Sequence, residues 1–130
     1  MPAAHPAPPD LTPEQGQTLL RLARWTLRAK LGRPPEASEK EALQLASKDP
    51  AFERHAVVFV TLTLRKRLRG CIGSLHPLEP IAEGVRSNAL HAAFHDPRFN
   101  PLAAHELGQV RIEVSVPSAQ MPGRPVLQAP

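Results

Sequence analysis

The stretch Val57-Val58-Phe59-Val60-Thr61-Leu62-Thr63-Leu64-Arg65-Lys66-Arg67-Leu68-Arg69-Gly70-Cys71-Ile72-Gly73-Ser74 decides the reading of this chain. Val57 to Leu64 is rich in β-branched residues and reads as a strand. Val57 to Val60 is apolar on both faces, which places that strand inside a sheet and Phe59 in the core. Arg65-Lys66-Arg67 is a tight connection, and Leu68 to Ser74 is the returning strand of a hairpin. The connection lacks the Asn-Gly or Asp-Gly that best suits such a turn. Gly70 and Gly73 flank the single cysteine, Cys71. A glycine within a strand marks a bulge or a close approach to the backbone. Arg69, Gly70, Cys71, Ile72 and Gly73 therefore read as a contact surface.

Upstream, Pro2, Pro6, Pro8 and Pro9 among alanines give residues 1–12 the composition of a flexible extended tail. Thr12-Pro13-Glu14-Gln15 then opens a helix, with Thr12 as cap, Pro13 in the first turn and Gln15 closing a capping box. Leu20, Ala23, Leu27 and Leu31 repeat at helical spacing as one buried stripe. Gly32, Pro34 and Pro35 end it. A second helix runs from Glu39 to about Lys48, with a Ser38/Glu41 capping box and an apolar face of Ala42, Leu45 and Ala46. Asp49-Pro50 stops it.

Downstream, Pro77 and Pro80 introduce a third helix to Phe94, burying Ile81, Val85, Ala89, Ala92 and Ala93. Asp96-Pro97 ends it, and Phe99 and Leu102 anchor the loop that follows. Val110 to Val116 alternates as a half-buried strand. After Pro117 no periodic signal remains, so 118–130 reads as an irregular tail. The order helix, helix, hairpin, helix, strand specifies one α+β domain over 13–117.

Composition excludes several functions. No apolar run is long enough to span a membrane, and the first twenty residues lack the apolar centre of a signal peptide. A cytoplasmic location is the default. One cysteine allows neither an internal disulfide nor a cysteine-rich zinc site. The formal net charge is +4, with a basic knot at Arg65, Lys66, Arg67 and Arg69. Such a knot can hold the phosphates of a nucleic acid or stand as a solvated hairpin tip. Aromatic residues make up 4% of the chain, which disfavours single-stranded RNA binding by base stacking.

Cys71 is the candidate nucleophile, and Arg69, two residues away on the same strand face, supplies a nearby cation. A small buried cysteine is the structural alternative. Gly70-Cys71-Ile72-Gly73 also spells the tetrad that clamps nucleic acid in KH domains, but here it follows a strand. His91 and His95 have the i, i+4 spacing of helical metal ligands without a Glu after His91, so no metal is assigned. Asp96 and Arg98 form a local pair that fixes the loop or faces a ligand. Glu113 and Ser115 join the same polar patch if their strand borders the signature strand.

On Val58-Phe59-Val60-Thr61-Leu62, Leu68 to Ser74, Ala92-Ala93 with Asp96-Pro97-Arg98-Phe99, and Glu113-Val114-Ser115-Val116, the chain resembles the AMMECR family. Prokaryotic members of that family are called AmmeMemoRadiSam system protein A. Leu68-Arg69-Gly70-Cys71-Ile72-Gly73 is its signature, and the resemblance covers about Leu19 to Val116. It implies a mainly antiparallel sheet flanked by helices, with no established enzymatic activity; no cofactor is assigned. It implies the company of a Memo-type protein and a radical SAM enzyme, in the modification of RNA or another biomolecule. An accessory or binding component is the leading expectation; an enzyme using Cys71 as a reactive thiol is the alternative. Family members continue past the Glu-Val-Ser strand, so the chain reads as lacking the family's C-terminal segment.

Overall fold

The computed structural model describes residues 11–73 and 79–117, with the backbone alone for 125–128. Thr12 opens the first helix, α1 (Pro13–Lys30), through a reciprocal pair of bonds. Gln15 N–H donates to Thr12 Oγ1 (3.1 Å), and Thr12 N–H donates to Gln15 Oε1 (2.9 Å). Leu20, Ala23 and Leu27 are buried, and Leu19 and Leu22 join them. The buried face is broader than one stripe because α1 packs on two helices and on the sheet.

The second helix, α2 (Ala37–Lys48), starts one residue before the expected Ser38 cap, with Glu36 at its N-cap. The Glu39 carboxylate accepts from Glu36 N–H (3.1 Å) and from Arg28 Nε (2.8 Å). That pairing allows a charged side chain to be buried at this end of the helix. Ala42 and Ala46 form the contact ridge, whereas Leu45 lies off it and is 48% exposed. A single turn of 3₁₀ helix, Pro50–Glu53, buries Phe52.

The sheet has the order β2-β1-β3-β4, with every neighbouring pair antiparallel. Its strands are β1 (Phe59–Leu64), β2 (Arg67–Gly73), β3 (Arg111–Ser115) and β4 (Pro125–Gln128). The third helix, α3 (Ile81–Phe94), packs on β1 and β2, while α1 packs on β3. The architecture is α+β, and β1 is an interior strand as its composition requires.

Two expectations are corrected here. Only one face of β1 is closed: Val58, Val60 and Leu62 are buried, but Phe59, Thr61 and Thr63 are half-buried. Phe59 leaves the core because its ring lies across Gly73 on the neighbouring strand. The reading of 118–130 as irregular fails at β4, where Val114 pairs with Leu127 and Glu113 with Gln128. Four residues are too few to carry a periodic signal, and backbone pairing does not need one. The rest of that stretch, residues 1–10, Ser74 and Pro77 lie outside the described residues.

Both signature glycines are filled from within the fold. A Cβ at Gly70 would overlap the Ala92 carbonyl oxygen of α3, and one at Gly73 would overlap the Phe59 ring. Neither glycine has positive φ. The strain sits in the turn instead: Arg65 (φ 53°) and Lys66 (φ 67°) are both left-handed, the pattern of a type I′ hairpin.

Such φ values cost a side-chain-bearing residue about 1–2 kcal/mol each. Replacing both, Arg65→Asn with Lys66→Gly, raises the unfolding free energy by about 1–2 kcal/mol in a denaturant titration. Gly70→Ala lowers it by about 1–3 kcal/mol, because α3 must lift from β2. A neutral Gly70→Ala would show that this close approach is not required.

Candidate functional site

The close packing of α3 on Gly70 carries the end of the helix to the outer edge of β2. There the chain turns at Asp96-Pro97-Arg98-Phe99. Phe99 N–H donates to the Asp96 carbonyl (3.1 Å), and Arg98 N–H donates to Asp96 Oδ1 (3.1 Å). Leu102 N–H donates to the Ala93 carbonyl (2.8 Å), and Leu102 is buried, so it anchors the loop, whereas Phe99, the other expected anchor, is half-buried and lines the cleft described below.

Cys71 pairs with Thr61 across the hairpin, and its N–H points outward from the sheet to Asp96 Oδ2 (3.2 Å). Arg98 grips the same carboxylate as a fork, Nε on Oδ1 (3.0 Å) and Nη2 on Oδ2 (2.8 Å). The Asp96 side chain is 3% exposed and that of Arg98 is 57% exposed. The Arg98 guanidinium, helped by the backbone N–H groups of Arg98 and Cys71, holds the Asp96 carboxyl far below the usual carboxylate range despite its burial. Asp96 raises Arg98 in return. Sequence spacing places Asp96 and Arg98 as a pair, and the structure puts that pair on the backbone of Cys71.

The Cys71 thiol is half-buried, and among the described residues its hydrogen-bonding neighbour is Thr61 Oγ1, 3.2 Å from Sγ. Arg69 does not share the thiol's face. The register steps from Leu62 opposite Gly70 to Thr63 opposite Leu68, which leaves Arg69 as the extra residue of a bulge. Strand alternation ends there, and the guanidinium turns to Glu106. Nε donates to Oε2 (3.0 Å), and Nη2 donates to Oε1 (2.9 Å) and to the Pro101 carbonyl (3.3 Å).

Glu106 has no counterpart in the sequence reading. It ends the 3₁₀ turn Ala104–Glu106 and also accepts the Ala103 N–H (2.9 Å). That i, i+3 spacing is the one local signal that could have found it. Arg69 holds its carboxyl below the ordinary range, with help from Ala103 N–H and against burial. Arg69, Pro97, Arg98, Phe99, Asn100 and Glu106 line a cleft of about 440 Å³. Arg98 also lies over the Phe99 ring, 5.3 Å from its centroid.

The remaining candidates fall in three places. The strand of Glu113 and Ser115 does not border the signature strand, because β1 lies between them: Glu113 and Cys71 both pair with Thr61, and Ser115, which is buried, and Gly73 both pair with Phe59, so the expected polar patch with Arg69 and Cys71 does not form. Ile72 packs against the core, beside Gly70 under α3. His91 and His95 are exposed with rings edge to face at 5.7 Å, while Asp96 turns away to Cys71 and Arg98. Arg65, Lys66 and Arg67 are exposed at the hairpin tip and do not line the cleft.

Because both carboxyls are lowered in the fold, their contribution to stability is present above the unfolded values of about 3.9 and 4.3 and is lost as pH falls through the folded ones. Melting temperature should therefore fall on acidification below about pH 4. Asp96→Asn should melt earlier than the wild type at neutral pH, with the gap closing in acid. A gap that stays constant with pH would remove Asp96 from this account.

A profile of the AMMECR1 family matches residues 20–127, beyond the Pro117 at which periodicity ends. A protein of Methanothermobacter thermautotrophicus is 36% identical over 107 residues, covering 82% of this chain and 53% of that protein. One from Aeropyrum pernix is 35% identical over 119 residues, covering 88% of this chain and 48% of the relative. The crystal structure of the uncharacterized protein PH0010 from Pyrococcus horikoshii superposes with a TM-score of 0.63 at 33% identity, over 82% of this chain and 52% of that one. The chain thus spans about half the length of the relatives it matches. On the family profile and these identities, this chain belongs to the AMMECR1 family.

Proposed function

We propose that this chain is an accessory binding module that presents the cleft beside Cys71 to a partner protein or an anionic ligand. The observation that carries the reading is the state of the charged pairs along this edge of the sheet. Asp96 accepts from Arg98 and Cys71 N–H, and Glu106 accepts from Arg69 and Ala103 N–H. Both acids are thereby held ionised by fixed donors, which makes them poor proton acceptors for catalysis. Arg98 remains more than half exposed at the cleft, where a carboxylate or phosphate oxygen can meet it.

The family resemblance suggests the setting: a cytoplasmic system with a Memo-type protein and a radical SAM enzyme, acting on RNA or another biomolecule. Among the described residues, no helix is long and apolar enough to cross a membrane. The reading assigns no cofactor or metal. A second reading, in which Cys71 is a reactive thiol of an enzyme, draws on the contact between its Sγ and Thr61 Oγ1.

Size-exclusion co-elution with the Memo-type and radical SAM proteins of the same organism tests the module. Arg98→Ala should weaken the complex about tenfold, and Cys71→Ala should leave it within about twofold. Failure to co-elute overturns the reading. A covalent substrate adduct on Cys71 found by mass spectrometry, with Cys71→Ala folded but inactive, replaces it with the catalytic one.

A further inference from the structure

The tip of the β1–β2 hairpin takes no part in the cleft and has features of its own. Arg65, Lys66 and Arg67 are exposed in succession. Leu68 beside them is 42% exposed, one of two large apolar side chains exposed among the described residues. Arg65 and Lys66 also hold left-handed backbone that Asn-Gly would adopt without strain. The tip thus joins a basic row, an exposed leucine and a strained turn.

We propose that this tip docks an acidic partner protein whose contact face sets an apolar slot among carboxylates; this rests on the binding-module reading and adds a second contact surface to it. Charge complementarity favours the acidic face, since the tip exposes three cations in succession and the chain carries a net charge of +4. Leu68 favours a protein over a nucleic acid, because a phosphate backbone offers it no apolar partner. Binders of single strands stack bases on aromatic rings, and this chain's aromatics lie elsewhere. Trp25 sits under Arg86, Phe52 is in the core, Phe59 covers Gly73, and Phe94 and Phe99 flank the Asp96 turn.

The test uses the full chain and fluorescence anisotropy with three labelled probes: a glutamate-rich peptide carrying leucines, a polyglutamate of equal length, and a single-stranded RNA of equal charge. The leucine-bearing peptide should bind tightest, with affinity falling between about 50 and 200 mM salt. Leu68→Ser should bring it down to the polyglutamate level. Arg65→Asn with Lys66→Gly should weaken it at least about fivefold while melting no earlier than the wild type, so the loss cannot be unfolding. RNA binding as tight, with no effect of Leu68→Ser, assigns the tip to nucleic acid and overturns the proposal. So does the absence of peptide binding at low salt. If the chain still co-elutes with its partners in either case, the module reading stands and only the tip is lost.

Discussion

The edge of this domain depends on how closely α3 lies against Gly70. The carbonyl oxygen of Ala92 occupies the space a Cβ would need, so the helix backbone rests directly on β2. Alanines at 89, 92 and 93 let the helix come down on its own side of that contact. The end of α3 is then near enough for Asp96 to reach the Cys71 amide. Charge-assisted bonds of this kind are stronger than neutral ones, and the Arg98 fork fixes the carboxylate in plane. A helix lifted by one methyl group would disturb each of these contacts in turn.

Local features of this fold were legible in the sequence, because local chemistry determines them. The Thr12–Gln15 box and the Asp96-Pro97 turn each involve residues within three positions of one another. The strand character of β1 and β3 follows from composition and alternation. What was not legible was decided by distant partners. Glu39, through Arg28, draws the start of α2 to Glu36. The bulge that diverts Arg69 is a property of pairing with β1, and Glu106, the partner it finds, is far away in sequence. Phe59 has every local mark of a core residue, yet Gly73 on the next strand gives its ring a better bed.

The candidate site was legible to the same degree. Cys71, Asp96 and Arg98 meet, since the loop that carries the acid and the strand that carries the thiol are both marked by composition. Arg69 reaches the same cleft from the other side, but through Glu106 rather than toward the thiol. The outcome is a surface whose acids already have cationic partners and whose accessible charge is that of Arg98. Such preorganisation suits recognition: the guanidinium is held in place before any ligand arrives.

The clip on Cys71 has a further consequence for how copies of the chain behave toward one another. Among the described residues β2 is the outermost strand on its side of the sheet, and an open strand edge is a template on which another chain can add by backbone pairing. Asp96 occupies the Cys71 amide near the middle of that edge, and Arg98 places a charged side chain beside it. The bulge at Arg69 distorts the edge further along. A second strand approaching β2 would have to displace a paired carboxylate to make its central hydrogen bond. The contacts that shape the cleft thus also guard the β2 edge against edge-to-edge growth into aggregates.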